Sequence, residues 1–533
     1  MRNRIESTGF LAGTAVGTVS LALYLTTLAP TISWGSDGKA VDGAELLTAA
    51  NVLGIPHPPG YPTYTLLLKA FTYLVPIGDY AFKGNLLSAV LATLTTVLLF
   101  AATARLCRIT SPNQPVWIAN ISSALSSLVL ATSPLFWSQS VITEVYTLNT
   151  LFLASLLLIS SGVALRAKLQ IPHRTEHKLF MFTILLGLGL GNHVTLIVFA
   201  IPLVYWMGQI LGWKQIVSPK LLAGLAIGLA IYVYLPIRSA QTPIINWGHP
   251  HSISGLMWML TARPYQDYAF NIPLVSLIPR VVEWTNLIFS QFNPLGIFLG
   301  LVGARRLFIN VRGFFLPALV ATTIISIYSL TYSTIDFEVL MIPAFLLFSS
   351  WIGVGFFWIS TSWIPNSYQP NTSGSFLNKT MIQVTTLSIL GFLLLPVVSI
   401  TLNFGTQNMS DDRTAYTHAA EMMDLVPDGS TVISNREKNV FTLWYMSYVE
   451  MPERDVAIIA APLLEFDWYL EDVHRMFPDR IPAMSKVTFK EAASHIMAHN
   501  RGRSKVFFTF INSDISNAYD LKRIGDVYQA RIK

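Results

Sequence analysis

LLSAVLATLTTVLLFAATARL, residues 86–106, carries no charged side chain before Arg105. A helix needs about 20 apolar residues to cross a hydrocarbon core, so this run predicts a membrane span. Runs 181–207 and 381–402 have the same character. The run 9–29 follows Arg2 and Arg4, is longer than a signal-peptide core and shows no small-x-small cleavage site, which predicts a retained first span. Working outward, the candidates are 9–29, 85–105, 116–133, 145–165, 179–191, 193–210, 221–236, 294–304, 314–332, 338–360 and 381–402, about eleven spans with two short ones. The composition agrees: 52% of the 533 residues are hydrophobic and 12% are charged, against about a quarter charged in a soluble domain. The expected fold is a polytopic α-helical membrane protein. Its one cysteine, Cys107, rules out an intrachain disulfide and any multi-cysteine metal site.

A net charge of +6 could suggest nucleic acid, but that partner needs a clustered basic face. Residues 1–403 hold 20 Lys and Arg against 11 Asp and Glu, and 404–533 hold 15 against 18. The excess lies in the loops between spans, and no nucleic-acid footprint appears. With a cytoplasmic N-terminus, the inside loops hold Arg105 and Arg108, then Arg166, Lys168, Arg174 and Lys178, then Lys214 and Lys220, then Arg305, Arg306 and Arg312, then Lys379. This is the positive-inside pattern repeated along the chain. It requires a hairpin broken at Gly191-Asn192 inside 179–210. Asp37, Asp42, Glu45, Asp79, Glu144, Asp267, Glu283, Asp336 and Glu338 then fall outside, and Glu176 and Glu6 inside. The loop 366–380 reads as cytoplasmic. An odd number of spans places the tail outside as well. Two domains are therefore expected: a membrane domain, 1–403, and an extracytoplasmic α/β domain, 404–533, with helical patterns at 412–425, 466–477 and 489–499 and short apolar runs at 431–434, 455–460 and 505–510. In a bacterium the protein would lie in the inner membrane.

Five polar clusters share the outer side. TISWGSDGKAVDGAELLTAANVLGIPHPPGYPTY, 31–64, holds Asp42 and Glu45 three residues apart, on one face if 41–53 is helical. That pair could supply a general base or hold a cation, or it could be a capping box at a solvated helix start. His57 stands between prolines as a ligand, a proton carrier or a packed side chain. FWSQSVITEVYTLN, 136–149, places Glu144 and Asn149 beside Trp137 and Tyr146. An acid entering a membrane helix costs about 2.5–3.5 kcal/mol at its centre, so Glu144 needs a partner, a function, or a place in an interfacial aromatic belt. GLGLGNHVT, 187–195, sets His193 in the hairpin break, where an interhelical hydrogen bond is the alternative. YLPIRSAQTPIINWGHPHSISGLMWMLTARPYQ, 234–266, adds Arg238, Trp247, His249, His251 and Arg263. Its arginines could clamp a phosphate or touch lipid headgroups. YSTIDFEVLMIPAF, 332–345, puts Asp336 at the outer start of a span. Carboxylates, arginines, histidines and tryptophans at one membrane face suit an amphipathic substrate with an acidic headgroup and an apolar tail.

These segments resemble a family of multi-pass proteins once described only as a domain of unknown function and related to protein O-mannosyltransferases within the GT-C superfamily. The likeness runs from LAPTISWGSDGKAVDGAELLTAANVLGIPHPPGYPTY through WSQSVITEVYTLN, GLGLGNHVT, YLPIRSA with INWGHP, and IDFEVLMIPAF to the tail segment DGSTVISNREKNVFTLWYMSYVEMPERDVAIIAAPLL. The resemblance implies a GT-C-like glycosyltransferase that moves a sugar from a polyprenyl-phosphate donor to an acceptor hydroxyl outside the membrane. It implies that Asp42 is the general base and Glu45 its partner, with Arg238 or Arg263 and His193 or His57 at the leaving phosphate. His57, Glu144, Tyr146, Asn149, His193, Arg238, Trp247, Arg263 and Asp336 are the expected substrate-binding set. A divalent cation could sit on Asp42, Glu45 and Glu144, although some members of the superfamily work without metal. Many relatives have Ser after the first acid, where this chain has Gly43, and Asp where it has His249. The competing classes are a lipid or lipid-linked sugar flippase, which would show paired broken helices and an inverted repeat, and a non-catalytic scaffold, for which the rigid acidic loop has no evident use.

Overall fold

The computed structural model describes residues 2–171, 175–364 and 379–533. Arg174 and residues 366–378 of the proposed inside loop lie outside the described residues. Among the described residues, eight helices are long and apolar enough to cross a membrane: Thr8–Thr26, Tyr80–Thr110, Tyr146–Lys168, Pro219–Ser239, Leu274–Asn310, Arg312–Thr331, Phe337–Thr361 and Thr386–Gln407. A ninth is the pair Val116–Ala131 and Pro134–Ser140, bent by 70°. Two shorter helices, Glu176–Leu190 and Leu196–Leu211, occupy the hairpin whose break was placed at Gly191-Asn192.

Two spans join further helical segments that the sequence does not show. The short span 294–304 lies in the second of two helices that meet at a kink at Asn293 within Leu274–Asn310. Pro279 and polar residues diluted the apolar signal of the first. The span 116–133 forms as Val116–Ala131, and a second short helix, Pro134–Ser140, leaves it at 70°, starting at a proline whose ring cannot continue the preceding hydrogen-bond ladder.

Helix contacts depend on small residues, as expected where lipid offers no hydrophobic drive between helices. A methyl group added at Gly303 would strike the carbonyl of Trp351, and one at Gly355 that of Leu299, so Leu274–Asn310 and Phe337–Thr361 touch backbone to backbone. Phe337–Thr361 is the most enclosed span, with 89% of its apolar window buried, against 17% for Thr386–Gln407 at the rim.

The tail forms a five-stranded sheet of β1 (Ser430–Ser434), β2 (Val456–Ala460), β3 (Val506–Phe508), β4 (Tyr519–Ile524) and β5 (Val527–Ile532), in the order β2-β1-β3-β5-β4. β1 runs parallel to β2 and β3, while β5 is antiparallel to β3 and β4. All residues of β1 and β2 are buried, as parallel strands covered by helices should be. The domain is fastened to the membrane part at several points. Ser33 Oγ donates to Asp412 Oδ2 at 2.6 Å, Asn51 Nδ2 to the Tyr448 carbonyl at 3.4 Å, and Arg475 Nη1 to the Thr242 carbonyl at 3.2 Å. His249 Nε2 lies 2.9 Å from Asp472 Oδ2, so His249 ties the loop to this domain.

Candidate active site

The first long loop folds as the helix Gly43–Val52, a turn through His57, and the helix Pro62–Leu74. Asp42 occupies the N-cap position but its side chain caps nothing, so the capping box does not form. Glu45 points inward instead. Its side chain is fully buried, and Oε2 meets His57 Nδ1. The other imidazole nitrogen, Nε2, lies 3.2 Å from Tyr61 Oη and 3.6 Å from Asp42 Oδ2. His57 thus stands between two carboxylates, and Asp42 is the one still open, with 28% of its side chain exposed.

Local backbone explains how these groups converge. A Cβ at Gly43 would come within 2.7 Å of the Thr143 carbonyl. Glycine lets the helix start lie directly against the turn that carries Glu144. Asn85 holds that turn: it accepts from Thr143 Oγ1 at 2.7 Å and donates to the carbonyls of Ala29 and Thr31 at 2.9 Å. Tyr61 sits in the left-handed region at φ +39°, a strained placement for a bulky residue that turns its phenol back onto His57.

Burial opposes a charged imidazole, but the carboxylates of Asp42 and Glu45 outweigh it and raise His57 to about 10. At neutral pH it is an imidazolium that donates from both nitrogens. Enclosure by protein raises the Asp42 carboxyl to about 6, although His57 pulls it down. Glu144 is buried and raised well above the usual carboxylate range, first by desolvation and then by Asp42 and Asp336. Asp336 is also raised by desolvation. A neutral carboxylic acid donates as well as accepts hydrogen bonds, which suits a polyhydroxylated ligand.

A cavity of about 190 Å³ opens beside this group, with Glu144, Tyr146, Asp336, Gln139, Gln291 and Lys39 in its wall. Lys39 Nζ pairs with Glu338 Oε1 at 2.8 Å. Arg280 fixes the far wall by donating to the Tyr332 and Thr334 carbonyls at 2.5 and 3.0 Å, with its guanidinium over Phe337.

The structure therefore gathers Asp42, Glu45, His57, Glu144, Tyr146 and Asp336. His193 adjoins them, its ring 5.9 Å from Tyr146 and 6.4 Å from Tyr61 and its Nδ1 2.7 Å from Thr195 Oγ1. Trp247 is buried edge-on to His57 at 6.2 Å. Asn149 is buried on the helix after Glu144, and its side-chain oxygen has no hydrogen-bond partner. Arg238 requires correction. Nε donates to the Leu53 carbonyl at 2.5 Å, Nη2 to the Val52 carbonyl at 3.0 Å, and Nη1 to Gln241. All three of its nitrogens are engaged, two of them on the carbonyls that end the helix Gly43–Val52, which gives it a capping role. Arg238→Ala should cost about 2–3 kcal/mol of stability and leave the KM for the sugar donor unchanged. Thermal unfolding beside donor titration checks this, and a tenfold rise in donor KM at unchanged stability would refute the cap. Arg263 is exposed on the turn that brings Tyr265 to 6.0 Å from His57.

Sequence reasoning missed Lys39, Tyr61, Tyr265 and Glu437. Lys39 and Tyr61 lie inside the quoted motif but carry no spacing signal of their own. Glu437 follows the C-terminal end of β1, where open α/β sheets place functional groups, and that signal was available. As for a cation, among the described residues no three His, Cys, Asp or Glu side chains are placed to share a metal ion. Glu45 is spent on His57, so Asp42, Glu45 and Glu144 do not form the ligand set considered above.

Comparison with known proteins matches residues 42–217 to the protein O-mannosyl-transferase TMEM260 N-terminal domain and 415–530 to the TMEM260-associated domain 2. The first match begins at Asp42. The chain is 24% identical over 492 residues to the protein O-mannosyl-transferase tmem260 of Dictyostelium discoideum, covering 84% of this chain and 56% of that one. It is 23% identical over 487 residues to the mouse (Mus musculus) protein O-mannosyl-transferase TMEM260, covering 88% and 65%. It thus spans less than two thirds of these relatives. Its fold is similar to ArnT from Cupriavidus metallidurans in the apo state, with a TM-score of 0.57 at 10% identity over 98% of both chains. The same protein bound to undecaprenyl phosphate gives 0.51 at 11% identity, over 98% of this chain and 97% of that one. The architecture is GT-C.

Proposed function

Starting from a chain that belongs to the TMEM260 family and folds as a GT-C membrane protein, we propose that it transfers a hexose from a polyprenyl-phosphate donor to a Ser or Thr hydroxyl of a polypeptide. The observation that carries this reading is Asp42. It is a partly open carboxylate held beside a buried imidazolium, and its charge acts on Glu144 and Asp336 in the wall of a hexose-scale cavity. Mannose is the first sugar to test, because the similar proteins are named for it. Undecaprenyl phosphate in the ArnT complex supports a lipid phosphate as carrier.

Asp42 removes the acceptor proton, the acceptor oxygen attacks the anomeric carbon, and the bond from that carbon to phosphate oxygen breaks. The polyprenyl phosphate leaves. Charge develops on both oxygens, so most of the rate comes from positioning and preorganised electrostatics. Glu144 and Asp336 hydrogen-bond the sugar hydroxyls. Lys39 takes the place the sequence offered to Arg238, because it is the cation in the cavity wall. The donor's tail lies among the spans. A second cavity of about 210 Å³, walled by Phe289, Phe292, Leu395 and Val398, shares Ser290 and Gln291 with the first. The acidic end of the bundle and the C-terminal domain face the extracytoplasmic side, with the N-terminus cytoplasmic.

Purified protein incubated with radiolabelled polyprenyl-phosphate mannose and Ser/Thr peptides should label the peptide. Movement of the lipid across vesicles without any transfer would replace this reading with a flippase. Lys39→Ala should raise the donor KM about tenfold, as loss of one charge-assisted contact does, and leave the peptide KM unchanged. Steady-state kinetics in each substrate decides it. A rise only in Arg263→Ala would move the phosphate to the loop arginine.

A further inference from the structure

The helix Glu437–Tyr445 of the C-terminal domain packs against the helix Gly43–Val52. Phe441 is buried and lies parallel to the His57 ring at 6.4 Å, 10° between planes. Lys438 Nζ sits 3.6 Å over the Trp34 ring, so its charge is engaged there. One turn before Phe441, Glu437 is exposed, yet it interacts electrostatically with Asp42, His57 and Glu45. It therefore stands beside the base with its side chain exposed, and its charge also reaches Asp336 in the cavity wall. A lipid-borne donor must arrive through the spans, which leaves the exposed side of the base, where Glu437 stands, for the acceptor.

We propose that Glu437, carried to the site by the C-terminal domain, is an acceptor-side residue whose carboxylate accepts a hydrogen bond from the polypeptide beside the reacting hydroxyl. The inference rests on the transfer reading above and gives the C-terminal domain a part in it. Asp42 then meets the acceptor oxygen from below while Glu437 fixes the neighbouring backbone or side chain from above. The ionisable groups that interact with Glu437 are Asp42, His57, Glu45, Asp336 and Tyr265, with Arg436 next to it in the chain.

Full-length Glu437→Gln should raise the peptide KM about tenfold, as loss of one hydrogen bond to a charged group does, with the donor KM within about twofold of wild type. Glu437→Asp, which keeps the acceptor oxygens, should recover part of the loss. Unfolding midpoints of both variants separate a folding defect from a binding one. An unchanged peptide KM in Glu437→Gln, or equal rises in both KM values, overturns the assignment. If wild type labels no peptide, the transfer reading itself fails; if Asp42→Asn transfers as wild type does, only the base assignment fails, and both are told apart from a failure of Glu437.

Discussion

Asp42→Asn should lower kcat about a thousandfold, within the range of about 10² to 10⁴ that a positioned proton acceptor contributes, while the donor KM stays within about twofold. Asparagine fills the same volume at the N-cap of the helix Gly43–Val52 and disturbs no side-chain cap, since Asp42 makes none. The fold should therefore survive and the loss should be chemical. The pH profile adds a second check. Asp42 is protonated below about 6 because enclosure disfavours its anion, so wild-type kcat should rise through that pH as the base is freed. It should then hold until His57 loses its proton near 10. In Asp42→Asn the acid limb should vanish. Transfer by Asp42→Asn within tenfold of wild type would remove Asp42 as the base and direct attention to Asp336 or Glu437.

The membrane architecture was legible because its cause is local: a long apolar run must be a helix in lipid, whatever surrounds it. The acidic loop was legible as a candidate site because three carboxylates and a histidine sat among prolines at one membrane face. What the sequence could not supply was direction. Nothing in D-x-x-E spacing says that Glu45 turns inward to a histidine twelve residues on while Asp42 stays open; that depends on the turn before Tyr61 and on Thr143 pressing against Gly43. Arg238 misled for the same reason. An arginine in an outer loop looks like a phosphate ligand until the end of a neighbouring helix claims its donors. Glu437 lay almost 400 residues from Asp42 in sequence, and only the docking of the tail onto the first loop brings them together.

The Glu45–His57 pair should matter to stability as much as to rate. Both groups are buried, and removing one partner of a buried pair leaves an uncompensated charge at a cost of about 3–5 kcal/mol. Glu45→Ala should accordingly fall well short of wild-type stability. Glu45→Gln keeps a hydrogen-bond acceptor for Nδ1 but removes the charge that favours the imidazolium. His57 holds its proton to about 10 in the folded protein, against about 6.5 when free. Its pairing therefore stabilises in full below about 6.5 and fades as the pH climbs towards 10. Wild type should lose stability across that window, and Glu45→Gln should show a flatter slope, because its folded-state His57 has less affinity to lose. Its kcat should fall about tenfold or more, with the alkaline limb moved to lower pH, since a neutral His57 no longer holds Asp42 as an anion. Unfolding midpoints taken from pH 6.5 to 10 in both proteins decide the matter. Parallel slopes would mean that the charge on Glu45 does not set that of His57, and the arrangement around Asp42 would then be packing rather than a proton-holding pair.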